Sequence, residues 1–199
     1  MLVRSDRSLT VPLLELLHAV SGVERQFLER ARIYPHTANW LHFPWYPRSR
    51  GGAFVLGSRI YLKERSLAGT HHTSGPEHSA SLLLLAHEVG HLPQAHRFGM
   101  NGLGKIRYAV WAAGQYGWSA LRNGPTHAHD DAPLEREADE GRWVLGKLME
   151  TIARTERRQD LSDILALEDP SSMINWLAVH AELIAGLRKT YQANYLSRP

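Results

Sequence analysis

His87-Glu88-Val89-Gly90-His91 places two imidazoles and a carboxylate within a little more than one helical turn. Residues four apart share a helix face, so His87 and His91 can reach one metal ion. Glu88 lies about 100° round from His87, near enough to touch water beside that metal without ligating it. H-E-x-x-H on a helix is the sequence mark of metal-assisted hydrolysis, because that chemistry needs ligands and a base as separate groups. A chain of this length and composition carries the pattern by chance about once in twenty, so the motif alone is only suggestive.

A second motif supplies what the first lacks. Catalytic zinc usually takes three protein ligands and leaves its fourth position open. Pro133-Leu134-Glu135-Arg136-Glu137-Ala138-Asp139 contains E-x-x-A-D. On a helix Glu135 and Asp139 share a face while Glu137 points away. Glu135 is the candidate third ligand. Asp139 is placed to accept a hydrogen bond from the outer ring nitrogen of a ligand histidine, fixing its tautomer. The small Ala138 lets this helix approach the first closely. Both motifs together would arise by accident in about one chain in a thousand.

Spacing excludes competing frameworks. A third histidine on the same helix, in the H-E-x-x-H-x-x-G-x-x-H arrangement, requires Gly at 94 and His at 97, where the chain has Gln94 and Arg97; His96 is one residue out of register. Thiolate sites are excluded, since the chain has no Cys. The expected ligand set is His87, His91 and Glu135 around Zn²⁺, with Glu88 as general base and Asp139 behind a ligand. Tyr108, His127, His129 and Arg142 are the candidates for stabilising an oxyanion.

The elements that must position these groups follow from periodicity. Thr10 and Pro12 open a helix in which Leu13, Leu16, Leu17, Val20, Val23, Phe27 and Leu28 recur at helical spacing to about Arg32. Tyr34 to Arg50, with three prolines, is expected to be irregular. After Gly51-Gly52, Ala53–Leu56 and Arg59–Leu62 flank Gly57-Ser58, a hairpin signal. The second of these strands is an expected sheet edge to which an extended peptide could add. Lys63 to Pro76 is expected to be loop, ending in a capping box at Ser74 and Glu77 that starts the helix running through His91. A helix around Lys105 to Leu121 follows, then a loop and a long helix capped by Asp131 that carries Glu135, Asp139, Trp143, Leu145 and Leu148. Arg157 to Pro170 is a linker candidate, and Ser171 or Ser172 starts a last helix.

At 199 residues with 43% hydrophobic and 22% charged composition, the chain is expected to form one α+β domain over 1–199, mainly helical, with a small hairpin or sheet beside the active-site helix. The net charge of +3 forms no basic stripe, so no nucleic-acid partner is expected; Glu150 to Arg158 is predicted to be a solvated helix face. The longest apolar run, Leu82 to Ala86, is too short to span a membrane. With no signal peptide recognised at its start and no Cys, the chain is expected to be soluble and cytoplasmic in the producing cell. Tyr108, Trp111, Tyr116 and Trp118 on the 105–121 helix are assigned to core packing rather than a membrane-facing surface, because Lys105, Arg107 and Gln115 interrupt them. His71-His72 and the His127, His129, Asp130, Asp131 cluster are assigned to solvated loops.

With these residues in hand, the chain resembles the small gluzincins, zincins whose third ligand is a downstream Glu. It is similar to compact bacterial metallopeptidase-like domains linked to toxins and contractile injection systems. The matching stretches are Leu56-Gly57-Ser58-Arg59-Ile60-Tyr61, His87 to His91 with Gln94, Tyr108, and Pro133 to Ala138. They cover about residues 53–146, leaving helical extensions on both sides. More distantly, E-R-E-A-D is similar to the ImmA/IrrE-type regulatory proteases. The resemblance implies a zincin fold, zinc, a peptide or protein substrate, and possible delivery as a toxin or effector by a secretion system. The alternative is a non-catalytic zincin-like module for partner binding, with its metal closed off by a fourth ligand such as His129.

Overall fold

The computed structural model describes residues 1–36, 53–71, 74–124, 127–129, 131–154 and 159–196, which form ten α-helices and three β-strands. Helix α1 (Val11–Ser21) follows Thr10, as its sequence predicts, although the buried Thr10 hydroxyl caps nothing. The helix expected to reach Arg32 stops at Gly22, whose φ of +70° turns the chain out of the helix while its N–H bonds the His18 carbonyl. Glycine reaches that left-handed conformation without the Cβ clash other residues meet. A short α2 (Arg25–Arg30) resumes, and β1 (Arg32–His36) then begins where irregular chain is expected.

The hairpin of β2 (Ala53–Leu56) and β3 (Arg59–Lys63) stands where its turn signal places it, with Gly57 at φ +66°. The strand order, β1-β3-β2, corrects one expectation. β3 is the central strand, parallel to β1 and antiparallel to β2, so its main chain is paired on both sides and it is not an edge for a peptide. Opposed Ile33 and Ile60, both buried, anchor the β1–β3 pair. Pro35, which has no N–H to give, is tolerated because β1 ends the sheet. The readings for Trp40, Pro44, Trp45, Tyr46, Pro47, Gly51, Gly52, His72, Asp130 and Arg157 lie outside the described residues.

Instead of loop, the chain after β3 makes α3 (Glu64–Gly69). Helix α4 (Pro76–Glu88) is entered through Gly75 at φ +96° and Pro76 in its first turn; the Ser74 capping box does not form. The motif helix is also not continuous to its second histidine. At Val89-Gly90 the chain stays right-handed but tightens: Gly90 N–H bonds the His87 carbonyl at 2.9 Å and Leu92 N–H the Val89 carbonyl at 3.1 Å. Pro93 is the cause, since it has no N–H for the Val89 carbonyl four residues back. Helix α5 (His91–His96) continues from there, with β2 packed on both α4 and α5.

Asn101 caps α6 (Gly102–Asn123), its side chain accepting the Gly104 N–H at 2.8 Å. The core assignment fits Tyr108, which is buried, and Trp111 and Tyr116, which are half-buried; Trp118 is 59% exposed and corrects it. Helix α7 (Pro133–Ala138) starts at Ala132 and Pro133 rather than at an Asp131 cap, and Asp139 joins it to α8 (Glu140–Ala153). The expected linker contains α9 (Gln159–Leu167). Helix α10 (Pro170–Tyr191) is capped by Asp169, which accepts the N–H groups of Ser171 and Ser172, and it runs into a π-helical turn, Gln192–Leu196.

The core lies between α1, α4, α8 and α10, where Leu13, Leu16, Leu17, Leu85, Leu145, Leu148 and Met173 are fully buried. Helices α4 and α8 approach closely because Gly141 faces Ala86: a Cβ at Gly141 would stand 2.4 Å from the Ala86 carbonyl oxygen. The mainly helical α+β architecture with a small mixed sheet is the one expected.

Candidate metal centre

His87 comes from the last turn of α4, His91 from the first residue of α5 and Glu135 from the first turn of α7. Chain segments 44 residues apart therefore meet. Each of the three residues offers a donor atom, and these atoms all lie within 4.8 Å of one another in a buried cluster. The two imidazole rings stand edge to face with centroids 5.1 Å apart. His87 Nε2 is 3.1 Å from Glu135 Oε2, and His91 Nε2 is 3.7 Å from Glu135 Oε1.

The outer ring nitrogens decide which atoms face inward. His87 Nδ1 donates to Asp139 Oδ1 at 3.0 Å, since a carboxylate can only accept. His91 Nδ1 pairs with Gln94 Oε1 at 2.8 Å. The Gln94 amide nitrogen is engaged as a donor, to the Leu134 carbonyl at 2.9 Å and Glu137 Oε2 at 3.1 Å, which fixes Oε1 as the acceptor toward His91. Neutral imidazoles held this way point both Nε2 lone pairs at the Glu135 carboxylate. Glu135 Oε2, buried and 3.1 Å from His87 Nε2, makes no hydrogen bond of proper geometry. Lone pairs aimed at a carboxylate repel unless positive charge sits between them. The site thus fits a divalent cation, and ligand atoms of a tetrahedral zinc at about 2.1 Å would stand about 3.4 Å apart.

Without a metal, protons fill that role. Burial pulls the His87 imidazole down, but its hydrogen bond to Asp139 and the neighbouring Glu135 and Glu88 carboxylates outweigh burial and push it up to about 10. His91 is likewise raised against its own burial, chiefly by the charge of Glu135. Burial raises Glu135, yet the charge of His91 and the closeness of both imidazoles hold it well below the usual carboxylate range. Glu88 differs. Burial lifts it above the ordinary range, the histidines pull it down only in part, and its Oε2 has no hydrogen-bond partner.

The turn that separates the two histidines is clamped to the second motif. A Cβ built at Gly90 would lie 2.5 Å from Ala138 Cα, so backbone rests on backbone. The narrow residue expected at Ala138 is thus matched by an even narrower one at Gly90. Together with the Gly141–Ala86 approach, this brings Asp139, between the two contacts, into reach of His87.

Of the oxyanion candidates, Arg142 is occupied: its Nε meets Asp139 Oδ1 at 2.5 Å. His127 is exposed. Tyr108 is buried close enough to feel the charges of Glu135 and Glu88, and its phenol is raised by burial first. His129 is not simply a solvated loop residue: its Nε2 lies 3.4 Å from Glu135 Oε1 and its ring stacks on Tyr116, centroids 5.4 Å apart. Sequence reasoning names two residues at the centre without giving either a role there. Tyr116 donates a hydrogen bond from its hydroxyl to Glu135 Oε1. Gln94 holds His91 to the α7 backbone.

Comparison with protein families, with characterised proteins and with solved structures finds no match for this chain.

Proposed function

We propose that the protein hydrolyses peptide bonds, with zinc held by His87, His91 and Glu135 and with Glu88 as the proton carrier. The observation that carries this reading is one buried cluster in which three donors converge beside a second carboxylate, Glu88, whose Oε2 lacks a hydrogen-bond partner. A metal site that only stiffened the fold would have no use for that buried acid, whose burial without a partner costs stability.

When bound, zinc supplies Lewis acidity, which polarises a scissile carbonyl and acidifies water. The chain's own residues do the rest. Glu88 takes the proton of the attacking water and returns it to the leaving amine. Its raised affinity for protons suits a group that must both accept and release one. Asp139 and Gln94 hold the two imidazoles by their Nδ1 hydrogens, which keeps each Nε2 available and correctly aimed. Tyr116, Tyr108 and His129 are the donors at hand for negative charge developing on the carbonyl oxygen.

A non-catalytic module would favour a metal enclosed by four protein ligands. Among the described residues the donor cluster has three members, and His129 stands beside it with Nε2 3.4 Å from Glu135 Oε1. The test is cleavage profiling of an unbiased peptide library by zinc-loaded protein, with a chelated control and Glu88→Gln. Cleavage lost on chelation, and lowered about 100- to 10,000-fold in Glu88→Gln with zinc retained, is the expected result. No cleavage by zinc-loaded protein, or equal cleavage by Glu88→Gln, overturns the proposal.

A further inference from the structure

Helix α6 presents two contrasting sides. Tyr108 and Ser119 are buried, and Tyr116 reaches Glu135. On the other side Leu103, Ile106, Val110 and Leu121 follow one another at helical spacing, with Gly114 and Gly117 completing the stripe and Trp118 beside it. These five large side chains are between 57% and 82% exposed. From Leu103 to Leu121 the stripe is about 27 Å long. Single exposed apolar residues need no explanation, but a contiguous stripe of this extent marks a contact surface.

Charge decides what contacts it. Helix α6 carries Lys105, Arg107 and Arg122 and no Asp or Glu. None of the three cations is paired with a carboxylate among the described residues. A second copy laid on the stripe would bring the same cations and no acid, setting like charge against like. An anionic lipid surface supplies both the apolar medium and the opposite charge. Among the described residues no helix is long and apolar enough to cross a membrane, so α6 would lie on the bilayer rather than span it.

We propose that α6 docks the protein on an anionic bilayer surface. The helix lies in the plane of the headgroups with Leu103, Ile106, Val110 and Leu121 dipping into the acyl boundary. Trp118, Arg107 and Arg122 sit along one edge at headgroup level, where an amphipathic ring and cations belong. The candidate metal centre then stands about one helix diameter, roughly 10 Å, from the lipid. This docking does not depend on the proposed hydrolysis.

The experiment is co-sedimentation of the full chain, zinc-loaded, with vesicles of phosphatidylcholine alone or with about 30% phosphatidylglycerol, alongside light scattering of the free protein. The expected result is binding to the anionic vesicles that weakens with salt, and binding to the neutral ones at least about tenfold weaker. Val110→Glu and Leu121→Glu, both at exposed positions, should lower binding about tenfold or more without changing the thermal melt. Gly114→Leu separates a bilayer from a shaped partner. A Cβ there meets nothing within 4 Å, and a fluid surface accommodates added apolar bulk, so binding should hold or strengthen. Absence of binding, binding unmoved by the Glu variants, loss of binding in Gly114→Leu, or a dimer dissolved by Leu121→Glu would each overturn the proposal.

Discussion

The Gly90 backbone lies directly on the Ala138 backbone, with room for a hydrogen and nothing larger: an added Cβ would stand 2.5 Å from the Ala138 Cα and 2.6 Å from its carbonyl oxygen. Replacing a helical glycine with alanine ordinarily stabilises by up to about 1 kcal/mol. Here the sign reverses, because the neighbour is main chain and cannot swing aside. Gly90→Ala is expected to cost about 1–3 kcal/mol in denaturant unfolding of the metal-free protein. It should also weaken zinc binding, since His91 and Glu135 move apart with the two segments. Unchanged stability together with unchanged zinc affinity would show that the contact does not hold the site.

The two imidazoles are steadied differently, and this separates two variants. Asp139→Asn keeps shape but replaces a charged acceptor, itself held by Arg142, with an amide that can present its donor side to His87. Gln94→Leu removes the acceptor for His91 and leaves the buried Leu134 carbonyl without that partner. Each is expected to lower zinc affinity about 10- to 100-fold, measured by chelator competition. Only Gln94→Leu should also destabilise the metal-free chain measurably, by about 1–3 kcal/mol, because it leaves the buried His91 Nδ1–H without its acceptor.

The metal-free centre predicts a pH dependence whose sign is opposite on its two sides. His87 is raised from an ordinary 6.5 to about 10, so its stabilisation is complete below 6.5 and is lost as pH climbs toward 10. Glu135 is depressed, so its contribution is present above its ordinary 4.5 and is lost as pH falls. In chelator the melting temperature should therefore decline from about pH 6.5 toward pH 10. Zinc needs deprotonated ligands, so the stabilisation it adds should grow over the same interval. Parallel melting curves with and without zinc across that range would contradict this linkage.

The candidate donors are legible because a helix converts spacing into direction: four residues put His87 and His91 on one side, and a proline-induced tightening at Val89-Gly90 does not undo it. What escaped depends on distant partners. Arg32 to His36 has no strong strand pattern and contains Pro35; it is a strand because Ile33 finds Ile60 across a parallel pairing that local sequence cannot announce. That pairing also turned the expected edge strand into the centre of the sheet. Tyr116 was absorbed into a row of aromatics, although its eight-residue spacing from Tyr108 keeps both on the inner half of α6. The core assignment of Trp118 rests on Lys105, Arg107 and Gln115 interrupting the aromatic row, but α6 is apolar on its outer side and Trp118 lies there.

Tyr116 offers the sharpest division between holding the metal and helping the reaction. Its hydroxyl donates to Glu135 Oε1 while its ring stacks on His129 at an interplanar angle of 8°. Tyr116→Phe removes only the donor. The ligands stay in place, so one zinc per chain should be retained. If the hydroxyl also serves the developing oxyanion, kcat should fall about 100-fold with little change in KM, as expected for a donor whose contact strengthens in the transition state. Tyr116→Ala removes the stacking platform as well and should lower zinc affinity and kcat together. A Tyr116→Phe protein that retains zinc and turns over at the original rate would leave the hydroxyl as a partner of Glu135 alone and move the oxyanion role to His129 or Tyr108.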